Sequence, residues 1–287
     1  MKHAKLVARV AAAVVVAASA TAAGATTVLE PAGKSRPKVA FGSDPRGNPD
    51  IYVINADGSG QRRLTSSPGW DGFPTWSPDA RKIAFVTNHG CYVVNANGTG
   101  RKQLPACIYG WSRGGLIAYS GERSNDEVYV ANADWSGGRN LTRNPARDNE
   151  AVWSPDGRAL AFTSDRDGNE EVYVMNADGS DPRNLTHWRG EDRRATWSPD
   201  GRRIAFMSER KGNTDIYVVN VDGTGLRRLT TNRGFDASPA WSPDGSAIAF
   251  ESQRGRIDIF LMRPDGSGQR RLTHDRFGNS SPAWAPR

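Results

Sequence analysis

The chain is poor in the residues that most often carry out chemistry. Cysteine occurs twice and histidine four times in 287 residues. Two cysteines exclude a disulfide-stapled miniature fold and every multi-cysteine metal site. His3 falls in a leader-like segment, which leaves His89, His187 and His274. These do not form a histidine-rich centre of the kind a zinc or lyase site needs. No G-x-S-x-G nucleophile elbow is present. Long apolar runs are missing after the first 25 residues, so no membrane-spanning helix is expected beyond the leader.

The first 25 residues have the pattern of an export signal. Met1 to Arg9 is basic, Val10 to Ala18 is apolar, and small residues follow with three A-x-A cleavage sites between Ala18 and Ala25. A retained membrane anchor is the alternative. Residues 26–37 read as a short Gly/Pro/Lys linker, and residues 38–287 as one domain. Secretion or a periplasmic location follows, with no transmembrane domain after cleavage. The formal charge is +7, of which Lys2, Lys5 and Arg9 belong to the leader. The remaining excess suits acidic partners but argues for no specific nucleic acid.

What is plentiful is glycine (31), proline (17) and tryptophan (9), and they recur in register. W-S-P-D-G or a close variant starts at Trp76, Trp153, Trp197 and Trp241, with degenerate copies at Trp111 and Trp284. The tryptophan spacings are 35, 42, 44, 44 and 43 residues. An I-A-F segment follows each turn (Ile83-Ala84-Phe85 and Ile204-Ala205-Phe206, for example). Next comes I-Y-V-x-N (Ile51 to Asn55, Ile216 to Asn220), and then R-x-L-T (Leu64-Thr65, Leu185-Thr186). β-branched and aromatic alternation makes each segment a strand, and Ser-Pro-Asp-Gly and Asp-Gly make the connections hairpins. We name the strands A (ending at the tryptophan), B, C and D. Four antiparallel strands at a period of 40–45 residues are the pattern of a propeller blade.

The first unit, from Lys38 to Thr65, has B, C and D but no A. The last segment, Ser281 to Trp284, is an A strand without a unit. Joined, they give a closed, all-β, six-bladed propeller. A monomer is expected.

These repeats resemble those of the TolB propeller family, on the W-S-P-D-G turns, the I-A-F strands and the I-Y-V-x-N-A-D-G-S hairpins of residues 38–287. The resemblance implies a propeller of six blades and a protein-binding role at the cell envelope. TolB itself carries an α/β domain before its propeller and a segment that engages an inner-membrane partner. Only Thr26 to Pro37 stands in that place here, so a propeller-only relative is expected.

In such a ring, strand A lines the channel and D faces out. The longer, more varied D–A and B–C loops share one face, where binding is expected. Five residues before the tryptophan stand Asp71, Asp148, Asp192, Asp236 and Asn279, with Ala106 breaking the series. Two readings stay open. They form a channel-mouth ring for a basic peptide or a calcium-like cation, or each caps its own loop. No other cofactor is expected. Trp70 and Trp188 fall in D–A loops, as ligand anchors or loop staples. Asp165 to Glu171 resembles part of a calcium loop but lacks the bidentate Glu, and reads as a polar turn. The arginine pairs on the D strands (Arg62-Arg63, Arg227-Arg228, Arg270-Arg271) read as edge charges that block sheet-to-sheet pairing, with polyanion binding as the alternative. Cys91 opens strand C of blade 2, Cys107 lies past its strand D, and a disulfide is expected. No catalytic residue stands out. The functional reading is a protein- or peptide-binding scaffold, with a hydrolase or lyase centred at the channel mouth as the alternative.

Overall fold

The structure is a computed structural model that describes residues 36–45, 47–122 and 126–287. The export signal and most of the linker lie outside the described residues. Every regular element among them is a β-strand.

The strands form six four-stranded antiparallel sheets, each ordered A-B-C-D. Blade 1 takes its A strand, Gly278–Trp284, from the end of the chain, and it pairs with Lys38–Asp44. The A strands of blades 2 to 6 are Asp71–Trp76, Cys107–Trp111, Asp148–Trp153, Asp192–Trp197 and Asp236–Trp241. The D strands are only two residues long, such as Arg62–Arg63 and Arg227–Arg228. One clasp therefore joins both ends of the propeller and leaves six blades, as the repeat count predicts.

Local chemistry explains each hairpin. In the A–B turn the Ser hydroxyl donates to the Asp two residues on (Ser77 to Asp79, 2.6 Å; Ser242 to Asp244, 2.6 Å). The same hydroxyl accepts the amide five residues on (Lys82 and Ala247, 2.9 Å each). The turn's last residue sits in the left-handed region, at φ +71° for Gly157 and Gly245. Blade 2 holds Ala80 there, at φ +56°.

The core lies between blades. The I-A-F phenylalanines Phe41, Phe85, Phe162, Phe206 and Phe250 are fully buried, each worth roughly 2–3 kcal/mol of transfer free energy. The register sets each directly opposite an aromatic of strand C, as in Phe162 against Tyr173, 5.6 Å between centroids. Trp197 of blade 5 packs with Val172 and Val174 of blade 4, and its Nε1 donates to Val152 O at 3.2 Å. The repeated tryptophans are inter-blade packing.

A second repeated device joins C to D. An acid stands at or near the start of strand C in five blades: Asp50, Glu127, Glu171, Asp215 and Asp258, all buried. The threonine of each Leu-Thr accepts the next strand-C amide (Ile51 N to Thr65 Oγ1, 2.9 Å) and donates to the acid (Thr273 to Asp258, 3.2 Å). Blade 2 has neither member, because Gly90 and Pro105 stand in those places.

There, instead, is the disulfide Cys91–Cys107, with Cα atoms 5.1 Å apart. Its position differs from the expected one. Cys107 is the first residue of strand A in blade 3, so the bond ties two blades together rather than closing one.

Candidate functional site

Five of the six A strands carry a β-bulge three residues before the tryptophan. The bulge residue is non-glycine and left-handed: Phe73 (φ +50°), Glu150 (+54°), Arg194 (+58°), Ser238 (+50°) and Ser281 (+53°). The pairing with strand B shifts register at each of these places. Such a conformation is costly for a side chain, and bulges re-aim side chains. Here all five line the central channel, a cavity of about 810 Å³.

The bulge residues interact with one another. The Arg194 side chain pairs with Glu150 (Nε to Oε1, 3.0 Å), and its guanidinium lies 4.1 Å from the centroid of the Phe73 ring. Thr163 Oγ1 and the Arg194 amide also donate to Glu150 Oε2, at 3.3 and 3.2 Å. Behind the remaining two, Glu251 accepts Ser238 Oγ (3.0 Å) and the Ser281 amide (2.9 Å). Burial pushes the Glu251 carboxyl above the usual range, against those two hydrogen bonds and the charge of Arg194. Tyr109 lines the same wall, and burial raises its phenol too. The channel wall thus offers a stacked cation, an aromatic side chain, the Glu150 carboxyl and two hydroxyls. His89, His187 and His274 lie exposed in loops, and none of them lines this cavity.

The five residues singled out in the sequence sit two positions earlier on the same strands. Asp71, Asp148, Asp192, Asp236 and Asn279 are fully buried at the start of their A strands. Ser67, Asn144 and Asn232, each four residues earlier, donate to Asp71, Asp148 and Asp236, and the amide of Asn279 donates to Asp275. The backbone amides of Asp71, Asp192 and Asp236 also bond the preceding blade, as in Asp192 N to Glu170 O at 2.8 Å. Among the described residues no three His, Cys, Asp or Glu side chains converge as metal ligands. The geometry around each of the five is that of a loop anchor.

Arginine is their main charge partner. Arg166 reaches Asp148 at 3.0 Å, and Arg210 bonds Asp192. Both come from a Ser-x-Arg stretch at the end of strand B. That recurrence (Ser164-Asp165-Arg166, Ser208-Glu209-Arg210, Ser252-Gln253-Arg254) is visible in the sequence and supplies the missing signal. Asp165 to Glu171 is a turn closed by Gly168 N to Asp165 O.

Trp188 is 41% exposed on the loop face, with the Arg210 guanidinium 5.2 Å from its ring centroid. Trp70 is half-buried, set edge-on against Phe73 at 5.5 Å. Trp70 therefore braces a bulge residue, while Trp188 offers a free face.

The D-strand arginines have partners that edge charges would not need. Arg63, Arg228 and Arg271 pair with the buried Asp50, Asp215 and Asp258 at 2.5, 2.5 and 2.8 Å. Arg62, Arg227 and Arg270 donate to carbonyls of the next blade's C–D turn, Arg270 to Ala56 O at 2.7 Å.

Comparison with known proteins gives a consistent picture. Residues 186–287 match the family model for the TolB beta propeller domain, and residues 116–214 that for the Tricorn protease N-terminal beta propeller domain. A protein TolB homolog of Chlorobium luteolum is 41% identical over 59 residues, which is 21% of this chain and 14% of that protein. The matched stretch is thus a small part of the curated relative. Among solved structures, TolB from Acinetobacter baumannii superposes with a TM-score of 0.76 at 25% identity, over 88% of this chain and 67% of that one. The putative TolB from Agrobacterium tumefaciens gives 0.72 at 26% identity, over 86% and 92%. With six blades, an A-B-C-D order and a clasp at the joined ends, the described residues form a six-bladed β-propeller similar to those of the TolB proteins.

Proposed function

We propose that this propeller is a non-catalytic scaffold that binds a protein or peptide at the cell envelope, in the periplasm or outside the cell, through the channel mouth and its surrounding loops. One observation carries the reading: five blades spend a left-handed, non-glycine bulge to aim Phe73, Glu150, Arg194, Ser238 and Ser281 into one open cavity. Backbone strain placed repeatedly at one level of a channel is better explained by a ligand than by packing. The chemistry of the rim, one aromatic face beside paired charges and hydroxyls, suits peptide groups and side chains. The likeness to TolB proteins supports both the binding role and the envelope location.

A capture experiment tests it. The exported protein and a variant with Glu150→Gln and Arg194→Met are each used to capture partners from envelope extract. A discrete protein held by the first and lost by the second is expected. An identical captured set from both would reject the mouth as the site. Turnover of an envelope polymer that disappears in Glu251→Gln would instead support a carboxyl-based hydrolase or lyase, for which the raised Glu251 proton affinity is the favouring feature.

A further inference from the structure

Three blades show how this fold holds a guanidinium. In blades 4, 5 and 6 the arginine of Ser-x-Arg donates its Nε to its own serine: Arg166 to Ser164 (2.8 Å), Arg210 to Ser208 (3.0 Å), Arg254 to Ser252 (3.1 Å). The Arg166 and Arg210 guanidinium groups lie over the strand B and C aromatics, 4.6 Å from Tyr173 for Arg166, and that of Arg254 lies over strand C Phe260 at 4.3 Å. In blades 4 and 5 it also reaches the buried aspartate directly across from that serine. Hydroxyl, aromatic face and buried carboxylate together form a guanidinium seat.

Blade 2 has the seat without the arginine. Asp71 lies across from Thr87, and Phe85 and Tyr92 supply the aromatic pair. The B–C connection, however, is only Asn88-His89, because Thr87 already pairs with Gly90. Ser-x-Arg has shortened to Thr87-Asn88-His89. A pocket of about 410 Å³ opens there, bordered by Asp71, Thr87, His89, Tyr92 and Arg101. Asp71 is fully buried, and its Oδ1 has no hydrogen-bond partner among the described residues.

Arg101, arriving from the C–D turn, partly fills the gap. Its guanidinium is 4.2 Å from the Tyr92 ring centroid, but it stays 3.9 Å from Asp71 Oδ1, beyond hydrogen-bond range. Its side chain is 36% exposed, against 22% for Arg166 and 8% for Arg210. It is a loosely held stand-in.

We propose that the blade 2 pocket is a binding site for an alkylguanidinium group, the side chain of an arginine, which displaces Arg101 and bonds Asp71 over the Tyr92 ring. The site is separate from the channel mouth and does not depend on how the mouth is used. A tethered competitor lowers the apparent affinity for an incoming one, so removing it strengthens binding.

Calorimetric titration with N-acetyl-arginine amide tests this on the full protein and on Arg101→Met, which keeps much of the stem volume without the charge. Binding about tenfold tighter to Arg101→Met than to the unchanged protein is expected. The uncharged isostere N-acetyl-citrulline amide should bind at least about tenfold more weakly to both, since it lacks the charge that Asp71 demands. This arm needs no substitution at Asp71, whose loss could unfold the loop. Free arginine tested beside the amide tells a small-molecule ligand from an arginine within a chain, whichever binds more tightly. No measurable binding to Arg101→Met at millimolar ligand, no gain over the unchanged protein, or equal affinity for the citrulline analogue would overturn the proposal.

Discussion

At the scale of single residues, the turns and the buried acids respond to protons in opposite directions. The Ser77 hydroxyl and the Arg81 amide hold the Asp79 carboxyl below the usual range, and the Ser242 hydroxyl, leading a similar set, brings Asp244 down to about 2. For Asp244 the unfolded chain binds the proton more readily than the folded one. Its stabilising effect is therefore complete above about pH 4 and is lost as pH falls toward about 2. Chemical denaturation across this range should show unchanged protein and Asp244→Asn converging as pH drops; a constant gap would contradict the assignment. The buried acids run the other way. Desolvation raises Asp50, Asp215, Asp236 and Glu251, so their contribution weakens as pH rises through the raised values. Ala80 is a further residue-scale case. At φ +56° it occupies the place that Gly157, Gly201 and Gly245 hold in other blades. Ala80→Gly should stabilise the protein by about 1 kcal/mol, read as a higher denaturation midpoint. A lower midpoint would mean that the methyl packs usefully.

At the scale of elements, the disulfide and the acid–threonine latch are alternatives. Blades with an acid at the start of strand C bond it to the Leu-Thr hydroxyl, while blade 2 lacks both and is tied to blade 3 by Cys91–Cys107. Closing a 16-residue separation is worth about 3 kcal/mol. Cys91→Ala with Cys107→Ala should therefore lower the thermal midpoint, with early exchange of backbone amides confined to blades 2 and 3. Loss spread evenly around the ring would argue against a local staple. The cysteine pair was legible from the sequence, but its partner elements were not. Leu104-Pro105 in place of Leu-Thr and an A strand without its aspartate left the border between blades 2 and 3 unmarked. The latch was missed for a different reason: Asp50, Glu127 and Glu171 sit beside polar loops, where an acid looks like ordinary surface.

At the scale of the whole molecule, the sequence made the fold plain, because six copies of one pattern constrain the architecture far more than any single strand would. Trp284 lies in the strand that completes the blade begun at Lys38, the closure its orphan motif implies. The candidate site was less legible. Asp71, Asp148, Asp192 and Asp236 attract attention because they repeat, and repetition marks a scaffold role: each anchors its loop or receives an arginine. The channel residues Phe73, Glu150, Arg194, Ser238 and Ser281 are aromatic, acidic, basic and hydroxylic in turn, so no single motif announces them. What they share is a backbone bulge, which only the pairing register reveals. Variation in residue type on a repeated backbone feature is what a specific binding surface requires, whereas the tryptophans and phenylalanines between blades must stay alike.

The measurement that bears most directly on the binding role is site-specific photo-crosslinking in the envelope. A photoreactive amino acid replaces Ser238, which lines the channel, or Ser180, in a C–D turn outside the channel lining. A discrete cross-linked protein or peptide from position 238 and none from position 180 is the expected result. No adduct at 238, or the same adducts from both positions, would contradict a binding site at the mouth.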